Sequence, residues 1–128
     1  KIIQLRVSAF NFYLKNLSIL KENKIVQLPK VTKYNRINGA IFYLILKSES
    51  ERVRLISYLE KFNIFCKTHY EPLDESPFYK KNFSTKINTS ISKNLSKRIL
   101  RLPMYHKISK ISQERVCKKI KAFFNENN

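Results

Sequence analysis

The sequence is poor in residues that punctuate a chain and poor in residues that do acid–base chemistry. One glycine, Gly39, stands among 128 residues. Neither G-x-G-x-x-G nor a Walker A loop can be written with it, which excludes the glycine-rich phosphate cradles. Tryptophan is missing, and the two cysteines, Cys66 and Cys117, form no C-x-x-C. Zinc ribbons and thiol exchange are therefore excluded, and one distant pair does not define a disulfide. In apolar surroundings both thiols are expected to be buried and reduced, as in a cytoplasmic protein. No apolar run approaches the roughly 18 residues of a membrane span; the longest, 40–46, is strand-sized. The chain starts at Lys1 without a small-residue cleavage site, so a processed chain or a piece of a longer polypeptide is expected.

Acidic residues are scarce too, 9 against 26 basic ones, for a formal charge of +17. Such an excess points toward nucleic acid, but a phosphate-binding face concentrates its cations and adds arginine forks. Here 19 of the 26 are lysine and lie in every segment, alongside abundant asparagine and isoleucine. That pattern matches an AT-rich coding sequence at least as well as a function. A hydrophobic fraction of 43% with 12% aromatics is enough for a core, and the length suits one domain.

Ile3, Val7, Phe10, Leu14 and Leu17 recur at helical spacing. Leu5, Phe12 and Ile19 widen that surface, which predicts packing on more than one side, and 21–24 ends the helix. A short strand is expected at 25–28, stopped by Pro29. Continuous apolarity predicts a strand at 40–46 buried on both faces. Ser48 and Glu51 have capping-box spacing and open a helix with Val53, Ile56, Leu59 and Phe62 inward, closed at Asn63. A third strand is expected at 64–70, making 40–70 a strand–helix–strand unit. Residues 71–94 carry Pro72 and Pro77 and read as a long loop with one helical turn at most. Residues 95–102 read as helix cut by Pro103. Ser109 caps a last helix with Val116, Ile120 and Phe123 buried, and 125–128 should fray. There is no internal repeat.

The titratable inventory is thin: His69, His106 and a single aspartate, Asp74. No metal-binding histidine pair and no carboxylate pair for glycoside hydrolysis can be drawn. Cys66 and His69 are separated by an odd offset, so a strand puts them on opposite faces and makes no Cys/His nucleophile. Glu71, Asp74 and Glu75 form one acidic cluster whose simplest role is to solvate a turn. Residues alone thus describe a small α+β domain without a self-sufficient active site.

Three motifs add to that reading. Asn38-Gly39-Ala40-Ile41-Phe42-Tyr43, then His69-Tyr70-Glu71-Pro72-Leu73-Asp74-Glu75-Ser76-Pro77, then Arg101-Leu102-Pro103-Met104-Tyr105 resemble the N-A-H-M-F-Y, H-Y-x-P-L-H-x-S-P and R-L-P-L-Y segments of the DegT/StrS-type sugar aminotransferases. Gln113, Arg115 and Val116 resemble their final helix. The likeness is nearest to the dTDP-4-oxo-6-deoxyglucose transaminases of surface-polysaccharide (lipopolysaccharide) assembly. It spans essentially the whole chain and covers the C-terminal part of a much longer family protein.

The resemblance implies a fold: the small C-terminal domain (25–128) of an aspartate-aminotransferase-like, fold type I enzyme. It has a short sheet of about three strands with flanking helices, and 1–24 is a helix leading from a large domain. It implies an activity: pyridoxal-phosphate-dependent transfer of an amino group from glutamate to a 4-keto-6-deoxy sugar nucleotide, in a cytoplasmic homodimer without membrane or nucleic-acid partner. The Schiff-base lysine belongs to the large domain, so these residues alone are expected to hold no cofactor and to be inactive, with no catalytic residue and no metal. His69, Tyr70 and Asp74 match the substrate-binding turn. His69 suits a hydrogen bond to a sugar hydroxyl or phosphate; the alternatives are a backbone-satisfied histidine and a core tyrosine. The chain departs from the pattern at Ala40 and Asp74, where the family has histidines, which bears on the sugar accepted. The other reading is a stand-alone basic domain holding a polyanion with Lys80, Lys81, Lys86, Lys93, Lys97 and Arg98.

Overall fold

The computed structural model describes residues 1–68, 70–83 and 89–126. Helix α1 (Ile2–Asn16) gives way at Leu17 to a short α2 (Ser18–Glu22). Strand β1 (Tyr43–Ile45) is followed by α3 (Glu49–Glu60) and β2 (Lys67–Thr68). A 3-10 turn (Leu73–Glu75), α4 (Pro77–Asn82) and α5 (Ser90–Arg98) lead into β3 (Ile99–Arg101), and α6 (Lys110–Glu126) closes the chain.

The sheet order is β1–β3–β2, both outer strands antiparallel to β3. β1 and β2 thus run the same way with β3 inserted between them, and α3 makes the crossover that parallel strands require. The α+β class and the three-stranded sheet agree with the sequence reading. Several particulars do not. Residues 99–101, expected as helix, form the central strand. Leu100 and Leu102 are buried while Ile99 and Arg101 are only half-buried, a two-residue alternation that pairing on both edges turns into a strand. Residues 40–46 bury one face, not two: Phe42, Leu44 and Leu46 are enclosed and Ile41 is exposed. Among the described residues of 64–70 only Lys67–Thr68 are strand, residue 69 lying outside them, and 25–28 contributes a single bridge, Gln27 to Ile45.

Local chemistry accounts for the helix ends that the sequence announced. Ser48 Oγ accepts from Glu51 N at 3.1 Å, and Glu51 Oε2 accepts from Lys47 N at 2.9 Å. Asn63 takes φ +54° after α3, a conformation asparagine tolerates. Ser109 Oγ accepts from Ser112 N at 3.1 Å.

The buried faces of α1, α3 and α6 meet the inner face of the sheet in one cluster. Phe42 sits at its centre, ring centroids 5.0 Å from Phe10 and 5.2 Å from Tyr13. Tyr13, enclosed, donates to Pro103 O at 3.0 Å, and the buried Gln113 donates to Ala9 O at 2.8 Å, tying α6 to α1. Val116, Ile120 and Phe123 are buried as expected. Two inward assignments change. Ile3 is exposed in the first turn of α1, and on α3 Leu55 and Leu59, one turn apart, are enclosed while Val53 faces out. Both thiols are free, Cys117 buried and Cys66 half-buried. Burial pushes each up to about 12, which makes neither a nucleophile at neutral pH. No helix among the described residues is long and apolar enough to cross a membrane.

Candidate functional site

The segment expected as a loop is built, and its building blocks are proline and serine. Pro72 precedes the 3-10 turn, and Ser76 ends it by donating from Oγ to Leu73 O at 2.7 Å. The same oxygen accepts from Tyr79 N at 3.2 Å and so caps α4, whose first residue is Pro77. Proline at that position has no amide to leave unsatisfied. The stacked rings of Tyr79 and Phe83, 4.9 Å apart, close the helix.

What fixes this segment to the body is charge. Asp74 Oδ2 accepts from Thr89 Oγ1 at 2.6 Å and from Lys93 Nζ at 3.2 Å. Glu75 pairs with Lys80 at 2.7 Å and with Lys93 at 2.5 Å. The acidic cluster therefore does more than solvate a turn: it clamps the turn to α5. The Thr89 hydroxyl, then the Lys93 ammonium, hold the Asp74 carboxyl below its ordinary value. Lys80 and Lys93 do the same for Glu75, and the two carboxylates raise Lys93.

The sign of this linkage defines a pH window. The depressed carboxyls contribute their stabilisation above their unfolded values of 3.8 and 4.5 and lose it as pH falls through the folded ones. The raised Lys93 contributes below 10.5 and loses it as pH rises further. In a carbon-detected NMR titration we expect carboxyl midpoints for Asp74 and Glu75 below those two values. Midpoints at or above them would mean the clamp does not form in solution.

Beside the clamp lies a cleft of about 530 Å³ between α3, β2, the 70–75 turn and α5. Thr68, Tyr70 and Glu71 line one side, Glu75, Lys80 and Lys93 the clamp side, and Glu49, Arg52, Ser96 and Lys97 the helical side. Of the three residues singled out from the sequence, Tyr70 lines this cleft and is 81% exposed, which removes the core-tyrosine alternative. Asp74 stands behind the lining and turns its carboxylate to Thr89 and Lys93. His69 lies outside the described residues. His106 is not among the residues lining this cleft. Glu49 and Arg52 were not legible as site residues, since only the crossover of α3 brings them to the turn. Among the described residues no three metal-ligating groups come together.

The sequence profile described as the DegT/DnrJ/EryC1/StrS aminotransferase family matches residues 1–121. Among solved structures the chain is similar to the aminotransferase TlmJ from Streptoalloteichus hindustanus, with TM-score 0.83 and 15% identity, covering 97% of this chain and 32% of that one. It is similar to a DegT DnrJ EryC1 StrS aminotransferase from Brucella abortus, with TM-score 0.77 and 24% identity over 94% of this chain and 31% of that one. PseC of Helicobacter pylori, an aminotransferase involved in the biosynthesis of pseudoaminic acid, superposes with TM-score 0.79 and 16% identity, over 97% and 33% of the two chains. The chain thus spans about a third of the length of the structures it matches.

Proposed function

Because the chain belongs to the DegT/DnrJ/EryC1/StrS aminotransferase family, we propose that it is the C-terminal small domain of a pyridoxal-phosphate-dependent sugar aminotransferase. In this reading 25–128 form the domain and 1–24 lead into it from a cofactor-bearing region. The intact enzyme moves an amino group from glutamate to a 4-keto-6-deoxy sugar nucleotide for surface-polysaccharide assembly, in the cytoplasm and as a homodimer.

The observation that carries the proposal is the clamped turn. The segment that resembles the family's substrate-binding turn is tied to α5 through Asp74, Glu75, Thr89 and Lys93, and Tyr70 stands on the rim of a cleft. A rigid support aiming an amphipathic ring into a cleft is what sugar recognition needs. The described residues do not fit the cofactor itself. A Schiff-base lysine works desolvated and with a lowered pKa, whereas Lys93 is raised by its two carboxylates and Lys80 is exposed and ion-paired. The only aspartate is engaged with Thr89 and Lys93. No chemical step is assigned to this domain; its part is to wall the cleft and orient the sugar.

The polyanion reading loses ground on the same geometry. Lys80 and Lys93 are paired to carboxylates, Lys97 lies 3.9 Å from Glu49, and Arg98 Nη1 donates to Leu46 O at 3.3 Å. Lys86 lies outside the described residues, and of the other five cations only Lys81 makes no such contact.

The test is kinetic. In the full-length polypeptide carrying this domain, His69→Ala and Tyr70→Phe should lower kcat/KM for a keto-sugar nucleotide by roughly tenfold or more, the effect of one lost hydrogen bond to a polar substrate. Asp74→His, which also releases Lys93, should change the order of preference across a panel of such sugars. Unchanged kinetics for all three variants would remove the turn from the site.

A further inference from the structure

Another cavity lies at the opposite end of β2 and β3 from the cleft. Thr68 and Lys97 border the cleft, whereas Ile64, Phe65, Pro103 and Tyr105 border this cavity, and no residue lines both. Its volume is about 290 Å³. Ile64 and Val116 are buried and make an apolar floor, while Phe65 and Tyr105 stand beside it 64% and 51% exposed. The Pro103 side is fixed, because its carbonyl accepts from the enclosed Tyr13 hydroxyl at 3.0 Å. Among the described residues Arg115 is the one charged side chain in the lining. It reaches in from α6 and donates from Nη2 to Phe62 O at 2.7 Å, which satisfies a carbonyl just past α3 and fixes where the guanidinium sits. Every ion pair among the described residues involves Glu49, Asp74 or Glu75, so Arg115 has no carboxylate.

We propose that this cavity binds a compact aromatic carboxylate, at a site separate from the cleft. An apolar cavity of about 150 Å³ accepts benzene, so one of about 290 Å³ accepts a ring with a short side chain. Covering what is left of Phe65 and Tyr105 supplies the apolar drive, and ring-to-ring contact adds to it. The remaining N–H donors of a single guanidinium match a planar carboxylate. A phosphoryl group carries more charge than one cation balances, and no lysine lines the cavity. Ser112, also in the lining, has its hydroxyl 2.8 Å from that of Ser109. With Ser109 donating in that pair, the Ser112 hydrogen serves the second carboxylate oxygen.

The probe is phenylacetate titrated into the 128-residue chain and followed by methyl NMR of labelled isoleucines, with phenylacetamide and acetate as comparison arms. Saturable binding should move the Ile64 and Ile108 methyls and leave that of Ile45, in β1, in place. Phenylacetamide keeps the ring without the charge and should bind roughly tenfold more weakly. Acetate, without the ring, should not saturate over the same range. Arg115→Gln should bring phenylacetate down to the affinity of the amide and leave the amide unchanged, a pattern that a general loss of packing does not give. Phe65→Ala, at an exposed position, should weaken acid and amide alike. Lys118→Ala removes an exposed α6 cation outside the lining and should change neither. Equal binding of acid and amide, equal losses for Arg115→Gln and Lys118→Ala, or no saturation would overturn the proposal. Amino transfer by the full-length polypeptide is read separately and bears on the aminotransferase reading alone.

Discussion

Gly39→Ala should cost about 3 kcal/mol or more of folding stability, read as a lowered urea midpoint at unchanged slope. Gly39 takes φ +63° beside α1. A Cβ there would lie 2.4 Å from the carbonyl carbon of Arg6, 2.5 Å from its oxygen and 2.6 Å from Val7 N. Those are backbone atoms of a helix, which cannot turn aside as a side-chain tip can. Strain from the left-handed conformation adds to the collision. Against a total of about 5–15 kcal/mol for a domain, this one methyl group removes a large share. A midpoint within error of the parent would mean that α1 does not pack on residue 39 in solution.

Phe42→Ala should be comparably severe, about 3–5 kcal/mol by the same measurement. Phe42 is fully enclosed between Phe10 and Tyr13, and its carbonyl accepts from Leu102 N at 3.0 Å. It therefore joins α1 to the sheet at the point where β1 meets β3. The sheet is only three strands of two or three residues, too short to hold itself together, so its order depends on this packing. A loss below about 1 kcal/mol would show that the cluster closes over the gap or does not form as described.

What could be read from the sequence was whatever a few neighbouring residues decide. Ser48 with Glu51, Asn63, and Ser109 each mark a helix end within three or four positions, and each does so in the structure. The Ser76-Pro77 pair carried the same kind of signal, a cap followed by proline at the first helical position, but the surrounding prolines and asparagines drew the segment toward a loop. Strand β3 was hidden for a different reason. Three residues give too short an alternation to outvote a helical reading, and only its two partners, more than 30 residues away in sequence, make it the centre of the sheet.

The site follows the same division. Tyr70 and Asp74 were singled out through the motif, which could not say that their side chains meet different surroundings. Asp74 has its carboxylate turned to Thr89 and Lys93, 15 and 19 residues on, and only Tyr70 faces the cleft. A histidine in its place, as in the family pattern, could not neutralise Lys93 in this way. The exchange therefore alters how the turn is held as well as what it presents. Arg52 on α3 and Lys97 on α5 are 45 residues apart in sequence and carry no shared local signal. Their meeting is a property of the crossover.

The central proposal is that these residues form one wall of an aminotransferase active site whose cofactor is held outside them. The direct measurement supplies 15N-labelled glutamate, pyridoxal phosphate and a 4-keto-6-deoxy sugar nucleotide to the full-length polypeptide and, separately, to the 128-residue chain. Mass spectrometry then reads nitrogen in the sugar. The account predicts labelled amino sugar from the full-length protein and none from the 128-residue chain. Label transferred by the 128 residues alone, or no transfer by the full-length protein to any keto-sugar nucleotide in the panel, would contradict it.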